Sequence, residues 1–91
     1  MKAFPTIHLN GSHGPTLQEE YEEALMKLDD FSGAFTVIDF NARDYYLVPG
    51  SWEQARKDRE AQQQHIAGLR KYLEEHIESI NAQNKARERK P

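Results

Sequence analysis

SWEQARKDREAQQQHIAGLRKYLEEHIESINAQ, residues 51–83, decides the fold. Trp52, Ala55, Arg59, Gln62, Ile66, Leu69, Leu73, His76 and Ile80 follow one another at steps of three and four. That spacing keeps side chains on one face of an α-helix. Ser51 stands just after Pro49-Gly50 and offers a hydroxyl to the free amides of a first turn. Gln54, three residues on, is placed to reach back to the Ser51 amide, the pattern of a capping box. Only Gly68 interrupts the run, at about 1 kcal/mol relative to Ala. Three seam positions are polar: Arg59, Gln62 and His76 either fix the register of packed helices or face a polar cavity.

The length of this helix carries a second inference. At about 1.5 Å per residue, residues 52–83 span about 48 Å. A compact globule of 91 residues is only about 30 Å across. A first helix ending near Phe31 covers only about 22 Å of that length. Part of the surface formed by Ile66, Leu69, Leu73, Ile77 and Ile80 is therefore left without cover inside one chain. Identical chains are the simplest source of that cover, so the sequence predicts a homo-oligomer.

Outward from the long helix, the rest of the chain divides by its turn chemistry. Residues 41–50, Asn-Ala-Arg-Asp-Tyr-Tyr-Leu-Val-Pro-Gly, form a connecting loop. Residues 16–40 form a first helical region. Thr16 and Glu19 make a second capping box after Pro15, and Glu19, Glu20, Glu22 and Glu23 load acid near the positive end of the dipole. Leu17, Tyr21, Ala24, Leu25, Leu28 and Phe31 mark its apolar face. Asp29-Asp30 and Ser32-Gly33 are a place to break it, after which residues 34–40 continue either as resumed helix or as a buried extended strip. Helix is preferred, since a lone strand has no partner in this chain. Residues 1–15 read as an extended arm with turn formers at Asn10-Gly11 and His13-Gly14-Pro15. Residues 84–91 form a basic tail. Its Lys85, Arg87, Arg89 and Lys90 either complement the helix dipole or touch a nucleic acid.

Composition bounds the rest. The chain is 37% hydrophobic and 30% charged, suited to a single domain of helices with one wet face. It has no cysteine, which excludes disulfides and thiolate chemistry and fits a reducing cytoplasm. No run approaches a membrane span. A net charge of -3 argues against a duplex-DNA binder.

The catalytic templates fail in turn. None of His8, His13, His65 and His76 forms a helical pair with the acid that a hydrolytic zinc site uses. Asn10-Gly11-Ser12-His13-Gly14 lacks the lysine of a phosphate loop. The acid pairs Glu22-Glu23 and Glu74-Glu75 fall on solvated faces. The sequence thus predicts no enzyme, no metal and no cofactor. The binding signal is Arg43-Asp44-Tyr45-Tyr46. A guanidinium offers a rigid fork to phosphate, tyrosine faces stack on bases, and Asp44 can orient Arg43 or accept from a ribose hydroxyl. Arg56 and Arg59, one turn into the long helix, can converge with Arg43 on an anion. The bland alternative is that Tyr45 and Tyr46 plug the end of a hairpin while Arg43 pairs with Asp44.

His8-Leu9-Asn10-Gly11-Ser12, then Leu17, Tyr21 and Ala24 at helical spacing, then Asn41-Ala42-Arg43-Asp44-Tyr45-Tyr46 and Gly50 ahead of an amphipathic helix, resemble small proteins of tailed bacteriophages. The resemblance covers residues 6 to about 75; Ala42 stands where that family usually has Gly. It implies a role in the host cytoplasm against bacterial defences, as in helical oligomeric sponges that sequester cyclic-nucleotide or ADP-ribose-derived signals. The expected molecule is an all-α helical hairpin, its first helix broken or whole, with an extended arm, assembled as a homo-oligomer. Asn10 in the arm is expected near the loop of its own or a neighbouring chain. There Asn10, Arg43, Asp44, Tyr45, Tyr46, Arg56 and Arg59 would hold a small phosphorylated or nucleotide-like ligand without turnover. The rival reading is a phage accessory or structural factor that binds protein.

Overall fold

A computed structural model describes residues 2–88 and shows two helices joined into a hairpin, with no strand among the described residues. Helix α1 is Gly14–Thr36 and α2 is Ser51–Glu88. A single 3₁₀ turn, Ala42–Asp44, lies in the connection between them. The molecule is a rod of 69 × 26 × 18 Å, as a 38-residue helix of about 57 Å requires. Among the described residues, no helix is long and apolar enough to cross a membrane.

The two helices run antiparallel, and their cross-ties read along the seam in order. Arg59 Nη2 donates to the Phe35 carbonyl at 3.4 Å, Arg70 pairs with Asp29, and the Tyr21 ring stacks on His76. Gln18 and Asn84 are joined through Asn84 Nδ2 to Gln18 Oε1 at 2.9 Å. The arm then lies along the far end of α2. Lys2 pairs with Glu75, Phe4 meets the His76 ring edge-on, and Gln83 accepts from the Ile7 amide at 2.8 Å while donating to the Pro5 carbonyl at 2.9 Å. One side-chain amide thus replaces the strand partner that an extended segment would otherwise need.

Several expected details are corrected. The first helix begins at Gly14, two residues before the Thr16–Glu19 capping box, with His13 at the N-cap and no side-chain cap. Pro15 falls in the first turn, where its missing N–H costs nothing and its φ is already helical. Gly14 is buried where a Cβ would overlap Asn84 Oδ1, so close approach to α2 fixes the helix start. No break occurs at Ser32-Gly33. The helix continues to Thr36, whose hydroxyl donates back to the Ser32 carbonyl at 2.9 Å, and residues 37–40 leave it as irregular chain. The Ser51–Gln54 capping box is likewise absent: the Ser51 hydroxyl donates to the Tyr45 carbonyl at 2.8 Å, and Gln54 donates forward to Asp58 at 2.8 Å. Gly50, at φ +82°, makes the turn into α2, a conformation that glycine adopts without Cβ strain. The basic tail is helical through Glu88; the predicted cations Arg89 and Lys90 lie outside the described residues.

Candidate binding site

The connection between the helices is built around three aromatic rings. Phe40 lies 4.8 Å from Trp52 and 5.8 Å from Tyr45 between ring centroids, and Tyr45 lies 5.6 Å from Trp52. Asn41 sets up the turn that brings them together. Its Oδ1 accepts from the Arg43 amide at 3.2 Å, and its Nδ2 donates to Asp39 at 2.7 Å, an Asx turn of the kind asparagine favours. Arg59 closes the other side of the cluster, with its guanidinium carbon 4.7 Å from the Phe40 centroid and 5.1 Å from that of Phe35. The same guanidinium donates to the last turn of α1 through the Phe35 carbonyl. A cation there meets both the negative end of the α1 dipole and two negative ring faces. The polar seam residue Arg59 is therefore a helix cap.

The remaining predicted residues separate by partner. Arg43 is exposed and pairs with Asp39 at 3.3 Å rather than with Asp44. Arg56 pairs with Glu53 and has its guanidinium 5.8 Å from the Trp52 ring centroid. Tyr45 is half-buried in the aromatic cluster, whereas its neighbour Tyr46 is 74% exposed. Val37, Ile38, Leu47 and Val48, flanking the cluster in sequence, are exposed as well. Phe35 and Phe40, which the sequence placed only within the stretch 34–40 that follows the expected break, supply the faces on which Arg59 rests.

Two shallow hollows border the cluster. One, of about 330 Å³, is lined by Phe35, Phe40, Tyr45, Ala55, Arg59 and Gln62. The other, of about 460 Å³, lies against Val48, Pro49, Ser51, Gln54, Ala55 and Asp58. Asn10 is not near either. Its neighbours Leu9 and Gly11 line a separate cleft of about 400 Å³ with Asn84 and Arg87, which are more than 30 residues along α2 from Ser51, or about 50 Å. Within one chain the expected packing of the arm against the loop is thus corrected: the backbone ties of Pro5 and Ile7 to Gln83 hold the arm at the opposite end.

The arm end has its own polar core. His76 is buried between Tyr21, Tyr72 and Phe4, and its Nδ1–H donates to the Tyr72 carbonyl at 2.9 Å. Burial, followed by the neighbouring Tyr72 hydroxyl, pushes the Tyr21 phenol above its ordinary pKa. Glu75 is held below the ordinary glutamate range, chiefly by its hydrogen bond to Lys2. Among the described residues, no group of three or more His, Asp or Glu is placed to hold a metal ion. Comparisons with protein-family models, curated proteins and solved structures found no match to this chain.

Proposed function

We propose that the protein is a non-catalytic, self-assembling helical hairpin whose loop end docks on a partner protein, an accessory factor of the tailed-phage kind that its sequence resembles. One observation carries this reading. The hairpin turn exposes Val37, Ile38, Tyr46, Leu47 and Val48 around a packed aromatic cluster. Five large apolar side chains at one tip are costly in water and typical of a protein contact, and the cluster beneath holds them on a stiff base. Exposed apolar residues with tyrosine among them are the usual material of interface anchors. The assembly part of the reading rests on the thin core. Helix α1 runs on past Phe31, and of the surface expected to lack cover Leu73 and Ile80 are buried within the chain, the only buried apolar side chains among the described residues, while Leu69, with Met26, Phe31 and Tyr72, remains exposed.

A photo-crosslinking residue placed at Leu47 in infected bacteria tests the docking reading. A discrete crosslinked protein from Leu47, and none from a control site at Glu22 on the acidic face of α1, is expected. Equal crosslinking from both sites contradicts it.

A second reading is favoured by one feature, the contrast between Tyr45 and Tyr46. Tyr46 leaves a free ring face two residues past Asp44 and three past Arg43, so a nucleotide-like phosphate ligand has a stacking surface and a cation within one turn of chain. On that reading Arg43 exchanges Asp39 for phosphate and the protein sequesters a host signal without turnover. Calorimetry against cyclic dinucleotides, cyclic trinucleotides and ADP-ribose isomers separates the two. Binding that Arg43→Ala and Tyr46→Ala each weaken, by about tenfold or more, would favour the ligand.

A further inference from the structure

Leu69, Tyr72 and Phe31 are about half exposed, at 49%, 45% and 55%, on one flank of the hairpin. By helical spacing the same flank of α2 runs from Gln54 through Asp58, Ala61 and His65 to Tyr72, and then on past His76 to Gln83. The arm already occupies the second half, through Phe4 on His76 and Ile7 on Gln83. The first half is bare: Gln54, Asp58, Ala61, His65, Leu69 and Tyr72 are all exposed.

We infer that a second copy of this chain covers that bare half, running antiparallel about a two-fold axis near Gly68 and Leu69. The two α2 helices meet at residues 65–72, the bare half of each lies over the arm of the other, and the arm turn of each copy seats in the loop-end hollow of the other. This rests on the self-assembly part of the function proposed above and gives it a geometry. Three observations carry it.

The first is area. The chain exposes 7168 Å², whereas a compact monomer of 10.6 kDa exposes about 5,500 Å² by the usual scaling with mass. The excess of about 1,700 Å² is roughly twice the ~800 Å² that each partner contributes to a stable interface. The second is the centre of α2. Ser51–Glu88 has its midpoint between Leu69 and Arg70, and Gly68 beside it has open space where a Cβ would stand, so backbones can approach closely there. A two-fold one residue away, between Gly68 and Leu69, sets His65 opposite Tyr72 on the flank described and brings Ala61 and Asp58 of each copy level with the arm that lies on His76 of the other. The third is what the same operation does at the ends. Leu9, 89% exposed, sits beside Asn84 and Arg87. The two-fold brings it level with residues 50–53 of the other copy, where the 460 Å³ hollow of Val48, Ser51, Gln54 and Asp58 opens. An apolar side chain with no cover meets a hollow with no occupant, twice by symmetry. A parallel pair would instead gather both arm turns at one end and leave both hollows empty. The antiparallel pair also sets Asn10 beside the Arg43–Tyr46 loop of the neighbouring chain.

Because the chain has no cysteine, single Leu9→Cys and Gln54→Cys variants report this geometry directly. Both positions are exposed, so folding is not at stake, and within one chain the two sites are about 45 Å apart along α2. Mild oxidation of the two variants mixed together is expected to give the mixed disulfide as the main product, with little from Leu9→Cys alone. Self-crosslinking of Leu9→Cys as the main product would overturn the antiparallel arrangement. A dimer by light scattering that yields no mixed disulfide would overturn this geometry alone, and a monomer would overturn it together with the self-assembly on which it rests.

Discussion

The two ends of α2 are packed by different means. From Leu73 to Asn84 it carries all four of its buried residues, Leu73, His76, Ile80 and Asn84; from Ser51 to Tyr72 it carries none. The difference lies in the number of layers. At the far end α1 and the arm both lie on α2, so a seam position is enclosed from two sides. At the loop end α1 alone faces it, and two helices side by side leave each seam residue half wet. Three aromatic rings and the Arg59 guanidinium close that end in place of a third layer of chain.

This contrast can be broken most severely at Ile80, which has no exposed surface. Ile80→Ala is expected to cost about 2–5 kcal/mol in chemical denaturation. Ile66→Ala, half-exposed in the two-layer part, is expected to cost closer to ~1 kcal/mol. Equal losses would mean that the arm adds no real enclosure. The next largest effect belongs to Gly14, where an added Cβ must displace Asn84. Gly14→Ala is expected to destabilise by about 1–3 kcal/mol although alanine is the better helix former, whereas Gly33→Ala, in open space, should stabilise by about 0.5–1 kcal/mol. At the loop end, Tyr45→Ala should lower the melting temperature through its lost ring contacts, at about 1–2 kcal/mol, while Tyr46→Ala should stay within about 0.5 kcal/mol of the parent.

The smallest effect is a pH dependence confined to the arm end. The Tyr21 pKa is raised in the folded chain by burial, then by Tyr72, so its contribution is complete below the ordinary tyrosine pKa of about 10 and is lost as pH rises through the folded value. The Glu75 pKa is lowered by Lys2, so its contribution is present above the ordinary glutamate range and is lost as pH falls. Glu75 is at the surface, and Lys2→Ala should abolish the acid-side dependence in amide exchange of the Ile7 N–H without changing that of the aromatic loop.

Much of the fold was legible because local rules decide it. The period of residues 51–83 and the Pro49-Gly50 pair mark a long helix and its start, and the excess of that helix over a globule's diameter is arithmetic. The corrected parts depend on residues far apart in sequence. The α1 start is set by Gly14 against Asn84, and the arm's position is set by Gln83 reaching Pro5 and Ile7. No local pattern in the arm distinguishes one end of the rod from the other. Of the candidate site, Tyr45 and Arg59 were placed by sequence beside the loop, where they stand. Their engagement with Phe40 and Phe35 was hidden because aromatic residues next to a helix end look like ordinary core until a cation is seen on their faces. Asn10 was grouped with Arg43 by motif alone, and the two lie at opposite ends of one chain.

On the proposed assembly, a second copy covers the flank of α2 that one chain leaves bare. Thermal melting of the full chain over a wide range of protein concentration tests this most directly, since the stability of an obligate assembly depends on mass action. The midpoint is expected to rise steadily with concentration, and Leu69→Glu, which puts charge into the bare flank, should remove that rise and lower the midpoint. A midpoint independent of concentration in the parent protein, with a single cooperative transition, would contradict the account.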